Sequence, residues 1–343
     1  MFYTERNSTT QSDFSYCILC NTLITLLPDV SLWYDHNQSE IRQFYLVGGE
    51  FGLKAFYTEL SVFLLLVYLL VIIGNSMVCI AVVLEAKLHT PMYIFLSNLS
   101  LADIIITTTV LPKMISVGLL NDIAISFSGC FLQLNTYLAC QCTEGILLGV
   151  MAFDRYVAIC NPLRYNEIIT PKISALLSVS TWLTGSLIPL PIVSKASDLP
   201  YCGDKIMFWF CDYPPVISCS CVDTKPLLFT ALVNALILIS LPGCLILFTY
   251  TKIILAVCKI KSVDGRKKAF STCSSHLSIV IMFYCAHLCV YISSTVNDVH
   301  PNVLILVSIV NAFLTPFANP IIYSFRNKEL KSAIQKHFLI SNS

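Results

Sequence analysis

The chain has 343 residues, of which 56% are hydrophobic and only 12% charged, and its mean hydropathy is +0.75. Soluble domains carry roughly 25% charged residues, so this composition excludes an ordinary soluble enzyme and reads as an integral membrane protein. The net charge of +1 sets up no global field for nucleic acid, and none is expected as a partner.

Residues 1–56 precede any convincing span and are expected to form an extracellular N-terminal segment. Asn7-Ser8-Thr9 and Asn37-Gln38-Ser39 are glycosylation sequons, provided this end lies outside. Asn98-Leu99-Ser100 has the same pattern but sits in an apolar run and is expected to be silent. Tyr16 to Leu27 has the size of a signal-peptide core. Glu5 and Asp13 flank it and no small-residue cleavage site follows, which favours a retained leader. Seven apolar windows come next. Residues 60–84, 173–194, 226–251, 269–297 and 302–325 contain no Asp, Glu, Lys or Arg; 92–112 contains only Asp103, and 131–153 only Glu144. Each reaches the roughly 20 residues that cross a bilayer as a helix, and none alternates as a membrane strand would. The fold class is therefore an all-α membrane protein, a seven-transmembrane helix bundle over 57–326, with a short cytoplasmic tail at 327–343. With the N-terminus outside and the C-terminus inside, the inner segments hold 14 Lys and Arg and the outer segments 7, as the positive-inside rule prefers.

Taken in order, span one carries Asn75, which must find partners within the bundle. Leu88-His89-Thr90-Pro91-Met92-Tyr93 opens span two, with Pro91 suited to a first helical turn, and the run continues through Ser97-Asn98-Leu99-Ser100-Leu101-Ala102-Asp103. Asp103 and Glu144 are the only deep acids, and intramembrane carboxylates are functional candidates. They either hold a sodium ion or proton between them or form a neutral hydrogen-bonded pair. On span three, Tyr137, Gln141, Cys142 and Gly145 follow helical spacing; they read as a ligand pocket or as interhelical packing, with Tyr137 and Gln141 favouring the pocket. Arg155 lies eighteen residues past Tyr137, five turns and about 27 Å along the same face. Arg155 closes the span in Met151-Ala152-Phe153-Asp154-Arg155-Tyr156-Val157-Ala158-Ile159-Cys160, an acid–base pair placed where an apolar run meets a polar one.

Trp182 reads as a packing or lipid-facing aromatic. The long connection after span four carries Cys202, Cys211, Cys219 and Cys221, and Cys130 stands at the top of span three. Such cysteines suit disulfides in an oxidising compartment, whose connectivity spacing cannot decide. A zinc site is the weaker alternative, because no His is near. Span five holds Asn234, Pro242 and Tyr250, and Pro242 is expected to kink it. A short basic connection leads into Lys267-Lys268-Ala269-Phe270-Ser271-Thr272-Cys273-Ser274-Ser275-His276-Leu277. Higher in span six, Tyr284, His287 and Tyr291 either face a pocket or pack; Cys142 with His287 as a soft-metal pair is a remote alternative. Span seven ends Pro316-Phe317-Ala318-Asn319-Pro320-Ile321-Ile322-Tyr323. Pro320 frees backbone carbonyls, which Asn319 is expected to help satisfy. Lys328 to Phe338 reads as an amphipathic helix with Leu330, Ile334 and Phe338 on its apolar side.

The four blocks at 88–103, 151–160, 267–277 and 316–327 resemble, in order, those of the olfactory receptors, a branch of the rhodopsin-like G-protein-coupled receptors, and the resemblance covers about 56–338. Phe283-Tyr284-Cys285 stands where the wider family has a Trp and a Pro, a departure that fits the olfactory branch. The resemblance implies disulfides Cys130 to Cys211 and Cys202 to Cys221, with Cys219 left over. It matches Asp103 to the family's sodium-site aspartate and Glu144 to an extra acid typical of the branch. It further implies a small-molecule odorant among spans three, five, six and seven (Tyr137, Gln141, Cys142, Asn234, Tyr284, His287, Tyr291). Coupling to a heterotrimeric G protein of the stimulatory class would run through Asp154, Arg155, Tyr156, Tyr250 and Tyr323. The expected location is the plasma membrane, in contact with lipid, and the only cofactor suggested is the sodium ion. A transporter would show inverted-repeat symmetry, and an enzyme a motif such as Gly-x-Ser-x-Gly or His-Glu-x-x-His; the sequence has neither. The runner-up is a non-olfactory chemosensory or peptide receptor.

Overall fold

The computed structural model describes residues 41–48, 57–295 and 301–339. The sequons at Asn7 and Asn37 and the run Tyr16 to Leu27 lie outside the described residues. Seven long helices form the bundle: α1 (Tyr57–Leu84), α2 (Pro91–Leu120), α3 (Phe127–Cys160), α4 (Pro171–Ser197), α5 (Lys225–Cys258), α6 (Val263–Thr295) and α7 (Pro301–Arg326). Each contains an apolar stretch long enough to cross a membrane. Local chemistry sets their starts. Pro91 and Pro171 occupy first-turn positions, where their missing N–H is not needed. Ser126 and Thr170 accept hydrogen bonds from Gly129 N and Ile173 N, capping α3 and α4. Asn121 takes the left-handed conformation (φ 52°) that ends α2. α4 is interrupted at Ile188–Pro189 and resumes at Leu190.

Large side chains such as Leu66, Leu70, Val83, Leu183, Leu241 and Leu247 are exposed. On a bundle of this length and hydropathy they are the lipid-facing surface, where an apolar side chain costs nothing. Inside, the apolar core falls into two clusters. One packs around Met114, Cys130, Leu134, Trp209, Phe210 and Ile309, the other around Leu88, Phe95, Leu147, Met151, Ile279 and Tyr323.

The first cluster is closed by a small sheet. β1 (Gln43–Leu46) lies between β2 (Ala124–Ser126), which is antiparallel to it, and β3 (Lys205–Ile206), which is parallel. Phe44 and Leu46 point inward at period two and are fully buried. The strand therefore takes a stretch of the expected N-terminal segment into the core. Gly48 follows at φ +65°, a conformation that favours glycine. A Cβ there would lie 2.9 Å from Tyr57 Oη and 3.1 Å from Trp209 Nε1.

α8 (Lys328–Ile334) follows α7, capped by Asn327 Oδ1, which accepts from Glu329 N and Leu330 N. Its expected apolar side divides. Leu330 and Ile334 are buried against the bundle and only Phe338 is exposed, so the stripe packs mainly on protein. Tyr93 Oη, 2.8 Å from both Asn327 Oδ1 and Glu329 Oε2, and the Lys336–Glu85 pair at 2.7 Å fix it there.

Candidate functional site

Three polar groups are threaded on α3. At mid-depth, Asp103 and Glu144 adjoin and both are fully buried. Asp103 Oδ2 accepts from Asn319 Nδ2 at 2.8 Å. Asp103 Oδ1, Glu144 Oε1, Asn319 Oδ1 and Ser100 Oγ are buried without a hydrogen-bond partner. This is an all-oxygen donor set, the kind a hard cation takes. Two adjoining carboxyl groups in hydrocarbon need a proton or a cation between them. Among the described residues no group of three or more His, Cys, Asp and Glu could hold a metal.

The expectation for Asn319 is corrected. Its amide goes to Asp103, and the carbonyl freed by Pro320 is met from another helix. Pro320 has no N–H to give the carbonyl four residues back, Pro316 O. Asn75 Nδ2 donates to that oxygen at 3.0 Å, and to Val71 O at 3.1 Å. Gly74 beside it lets the Pro320 ring approach, since a Cβ there would lie 2.9 Å from Pro320 Cγ.

Toward the sheet, Tyr137 is buried with its ring edge-on to Phe210 at 5.2 Å, and its hydroxyl faces Asn311 and Gln141. His287 Nε2 lies 2.9 Å from Gln141 Oε1 and Nδ1 2.9 Å from Phe283 O. Both ring nitrogens are engaged, which leaves none for a metal shared with Cys142. Tyr137, Gln141 and His287 are thus brought together. Cys142 is a free, half-buried thiol, about 100° round the helix from Gln141. Asn234 is half-buried on α5 with Oδ1 unpartnered. Tyr284 reaches sideways: its hydroxyl donates to Ile239 O at 3.1 Å, where Gly243 admits the ring. The side chain of Tyr291 lies outside the described residues. Gly145 serves packing, since a Cβ there would touch Phe283 at 3.5 Å.

The connection after α4 lies over this region. Cys130 is bonded to Cys211 and Cys202 to Cys221, with Cα–Cα distances of 5.5 and 5.1 Å; Cys219 is a free thiol. Gln133 ties the bridge to the bundle by accepting from Cys211 N and donating to Thr109 O, each at 2.8 Å. Burial pushes the Asp212 carboxyl up to about 6, while the Tyr213 N–H it accepts partly opposes the shift.

At the other end, Arg155 Nη2 donates to Asp154 Oδ2 at 2.8 Å, and the Tyr165 hydroxyl donates to Asp154 Oδ1 at 2.6 Å. Burial and the Asp154 contact push the Tyr165 hydroxyl up, so it stays a donor. Tyr250 does not reach out to Arg155. Its hydroxyl lies 2.8 Å from His276 Nδ1, and His276 Nε2 lies 3.1 Å from Leu148 O. A carbonyl only accepts, so Nε2 carries the proton and Nδ1 accepts from Tyr250. His276 thereby straps α6 to α3 and α5. Tyr323 is fully buried with its hydroxyl unpartnered. Tyr156 is half-buried, its ring 6.2 Å from Phe153.

Sequence reasoning gave no role to His276, Tyr165 or Gln133. Only His276 left a signal, as one of two imidazoles in a window free of Asp, Glu, Lys and Arg. Asn98 and Trp182 were read separately, as a silent sequon and a lone aromatic; Trp182 Nε1 donates to Asn98 Oδ1 at 2.9 Å.

Residues 64–341 match the olfactory receptor family model. The chain is 42% identical over 297 residues to olfactory receptor 2AT4 of Homo sapiens, covering 85% of this chain and 92% of that one. It is 39% identical over 311 residues to Homo sapiens olfactory receptor 6N1 (88% and 96% covered), and 39% identical over 305 residues to the olfactory receptor-like protein OLF3 of Canis lupus familiaris (88% and 94%). With seven spanning helices, two bridged cysteine pairs and these relatives, the chain belongs to the olfactory receptor family, as a multi-pass plasma-membrane G-protein-coupled receptor for odorants and not an enzyme.

Proposed function

We propose that this receptor binds one small odorant among α3, α5, α6 and α7 beneath the disulfide-bonded loop, and then activates a G protein of the stimulatory class, raising cyclic AMP. The observation that carries this reading is that α3 alone bears both ends of the path: Tyr137 and Gln141, gathered with His287, and the Asp154–Arg155 pair five turns away. Phe44, Leu46, Trp209 and Phe210 fill the loop-covered end, which favours a small molecule over a peptide. The sheet end would face outward with the sequons, and Arg155 inward with the lysine-rich connections and α8, where anionic lipid headgroups lie. Asp103, Glu144 and Ser100 would hold a sodium ion, which would stabilise one arrangement of the mid-depth layer.

Ligand binding shifts the equilibrium by its differential affinity for two states. In the active state Arg155 leaves Asp154 and meets the G protein in the space opened by the inner end of α6. The test is Arg155→Ala, followed by surface labelling, odorant binding and cyclic AMP in the same transfected cells. Surface density and binding should persist while the cyclic AMP response is lost. A variant at normal density that signals at wild-type amplitude overturns the role of Arg155. A response carried by calcium without cyclic AMP overturns the G-protein class.

A further inference from the structure

We propose that the odorant taken by this receptor is a small protonated amine, with Asp212 as its counter-ion. This rests on the reading that the ligand lies beneath the disulfide-bonded loop, and it names the chemical class of that ligand. Asp212 follows Cys211, whose bridge to Cys130 holds it at the top of α3. Gln133, one turn below Cys130, accepts from Cys211 N at 2.8 Å. Tyr137 and Gln141 continue the same face of α3 at steps of one turn, and Gln141 meets His287. Asp212 therefore stands at the head of that polar column. It is close enough to Tyr137 for its charge to act on the tyrosine hydroxyl.

The column has acceptors to spare and no cation. Asp212 Oδ1 accepts from Tyr213 N at 2.8 Å. Asp212 makes no ion pair among the described residues, and part of its side chain remains accessible. With a pKa of about 6, the carboxyl is mostly ionised at neutral pH, a half-buried charge with no counter-charge beside it. Asn311 is nine-tenths buried on α7, beside the Tyr137 hydroxyl, and its Oδ1 has no partner. Phe208, Phe210 and Tyr137 follow one another edge to face, with ring centroids 5.0 and 5.2 Å apart. A carboxylate, an unfilled amide acceptor and aromatic rings are the groups that hold a desolvated ammonium, which brings a charge and up to three N–H donors. An alcohol donates once and leaves the charge of Asp212 unpaired. A carboxylate odorant meets Asp212 as a like charge. A metal ion does not fit, because Cys211 is spent in its bridge and among the described residues no group of three or more His, Cys, Asp and Glu could hold one.

The test uses the full-length receptor in lipid nanodiscs at neutral pH. The probes are hexylamine, cyclohexylmethylamine and benzylamine, each beside the alcohol and the carboxylic acid of the same carbon skeleton. A ligand that binds the folded receptor raises its melting temperature, so titration of that shift gives an affinity without any signalling step. In the wild type, at least one amine should bind tenfold or more tightly than its alcohol, and the acids should bind weakest. Asp212→Asn keeps the acceptor for Tyr213 N and removes the charge; the amine should lose at least tenfold and its alcohol less than threefold. Asp212→Glu keeps the charge and should keep the amine first. Alcohols that match or outrank the amines throughout would overturn the proposal from the wild type alone, whatever the variants do. An amine advantage that survives in Asp212→Asn would overturn the role of Asp212. An amine that binds in this way yet raises no cyclic AMP in transfected cells would instead overturn the coupling proposed above, while the melting titrations still decide the ligand class.

Discussion

The contact between Asn75 and Pro316 O makes a sharp claim about how a proline is tolerated in mid-membrane. Pro320 removes the N–H that would have bonded Pro316 O, and the Asn75 amide supplies a donor from α1 at 3.0 Å. Asn75→Ala should leave a buried carbonyl unsatisfied. The general cost of such an orphan is about 1–3 kcal/mol, and interhelical hydrogen bonds in a membrane average about 0.6 and reach about 1.7 kcal/mol. A loss of about 1–2 kcal/mol is expected, or roughly 1.5–3 °C in melting temperature for a protein of this size. The control is Pro320→Ala, which restores an N–H able to bond Pro316 O within α7. In that background the loss caused by Asn75→Ala should largely vanish. Melting of the four purified receptors in one detergent, followed by a thiol-reactive dye, completes the cycle. If the two substitutions add to within about 0.3–0.5 kcal/mol, Asn75 is not standing in for the missing N–H and the reasoning fails.

Cys211→Ser should abolish surface expression, because loss of a native bridge costs about 2–5 kcal/mol and this one ties α3 to a loop whose Trp209 and Phe210 are fully buried; normal surface levels with normal potency would refute that role. Asp103→Asn and Glu144→Gln should each shift basal signalling and blunt any sodium sensitivity, and a double-mutant cycle showing independence would sink the shared site. Asp212 gives a pH prediction. Its folded pKa is raised from 3.8 to about 6, so the folded receptor holds the proton more tightly than the unfolded chain. Stability therefore falls as pH rises through that interval, and the cost persists above it. Asp212→Asn, which keeps the cap acceptor, should raise the melting temperature at pH 7.5 more than at pH 5. The effect should stay below about 3 kcal/mol, because part of the side chain remains accessible; equal shifts at both pH values would count against it.

The spans were legible because a helix in hydrocarbon must satisfy its backbone internally and stay apolar for about 20 residues. That constraint writes itself along the chain, so windows such as 60–84 and 92–112 fall inside α1 and α2. β1 was not legible. A four-residue strand shows barely two periods, and Gln43-Phe44-Tyr45-Leu46 sits in a segment with no other pattern. What covers the apolar side of α8 was not legible for a different reason. Helical spacing gives the apolar face but not what covers it, and Leu330 and Ile334 are covered by the bundle.

The sites divide the same way. Residue type sufficed to single out Asp103, Glu144 and Arg155, because a charge in or beside hydrocarbon is costly wherever it lies. Partners were harder. Asn319 was assigned to the proline beside it in sequence, yet its amide crosses to α2 and Asn75 comes from α1 to fill the gap. Tyr250, expected at the G-protein end, bonds His276, a residue without a role in the sequence reading. For Asn319 the nearest group in sequence lost to one on a neighbouring helix, which spacing along a single chain does not reveal.

These contacts bear on how a signal could cross the bundle. The two apolar clusters do not meet as one continuous core. Between them run Asn75, Ser100, Asp103, Thr107, Thr143, Glu144, Thr315 and Asn319, all buried polar side chains at middle depth. Apolar packing is dense and resists continuous deformation, so each cluster tends to move as a block. The layer between them behaves differently. It holds donors already committed, such as Asn319 to Asp103, beside acceptors with no partner, such as Asp103 Oδ1, Glu144 Oε1 and Asn75 Oδ1. Because acceptors outnumber the donors aimed at them, more than one pairing is open at similar energy. A ligand in the proposed pocket, against Tyr137 and His287, would act on the block above this layer, and Arg155 sits in the block below. A change of pairing in the layer is then the least costly way for the upper block to reset the lower one. That account requires both acids: neutralising either should change the response to odorant without touching a residue of the pocket or of the Arg155 end.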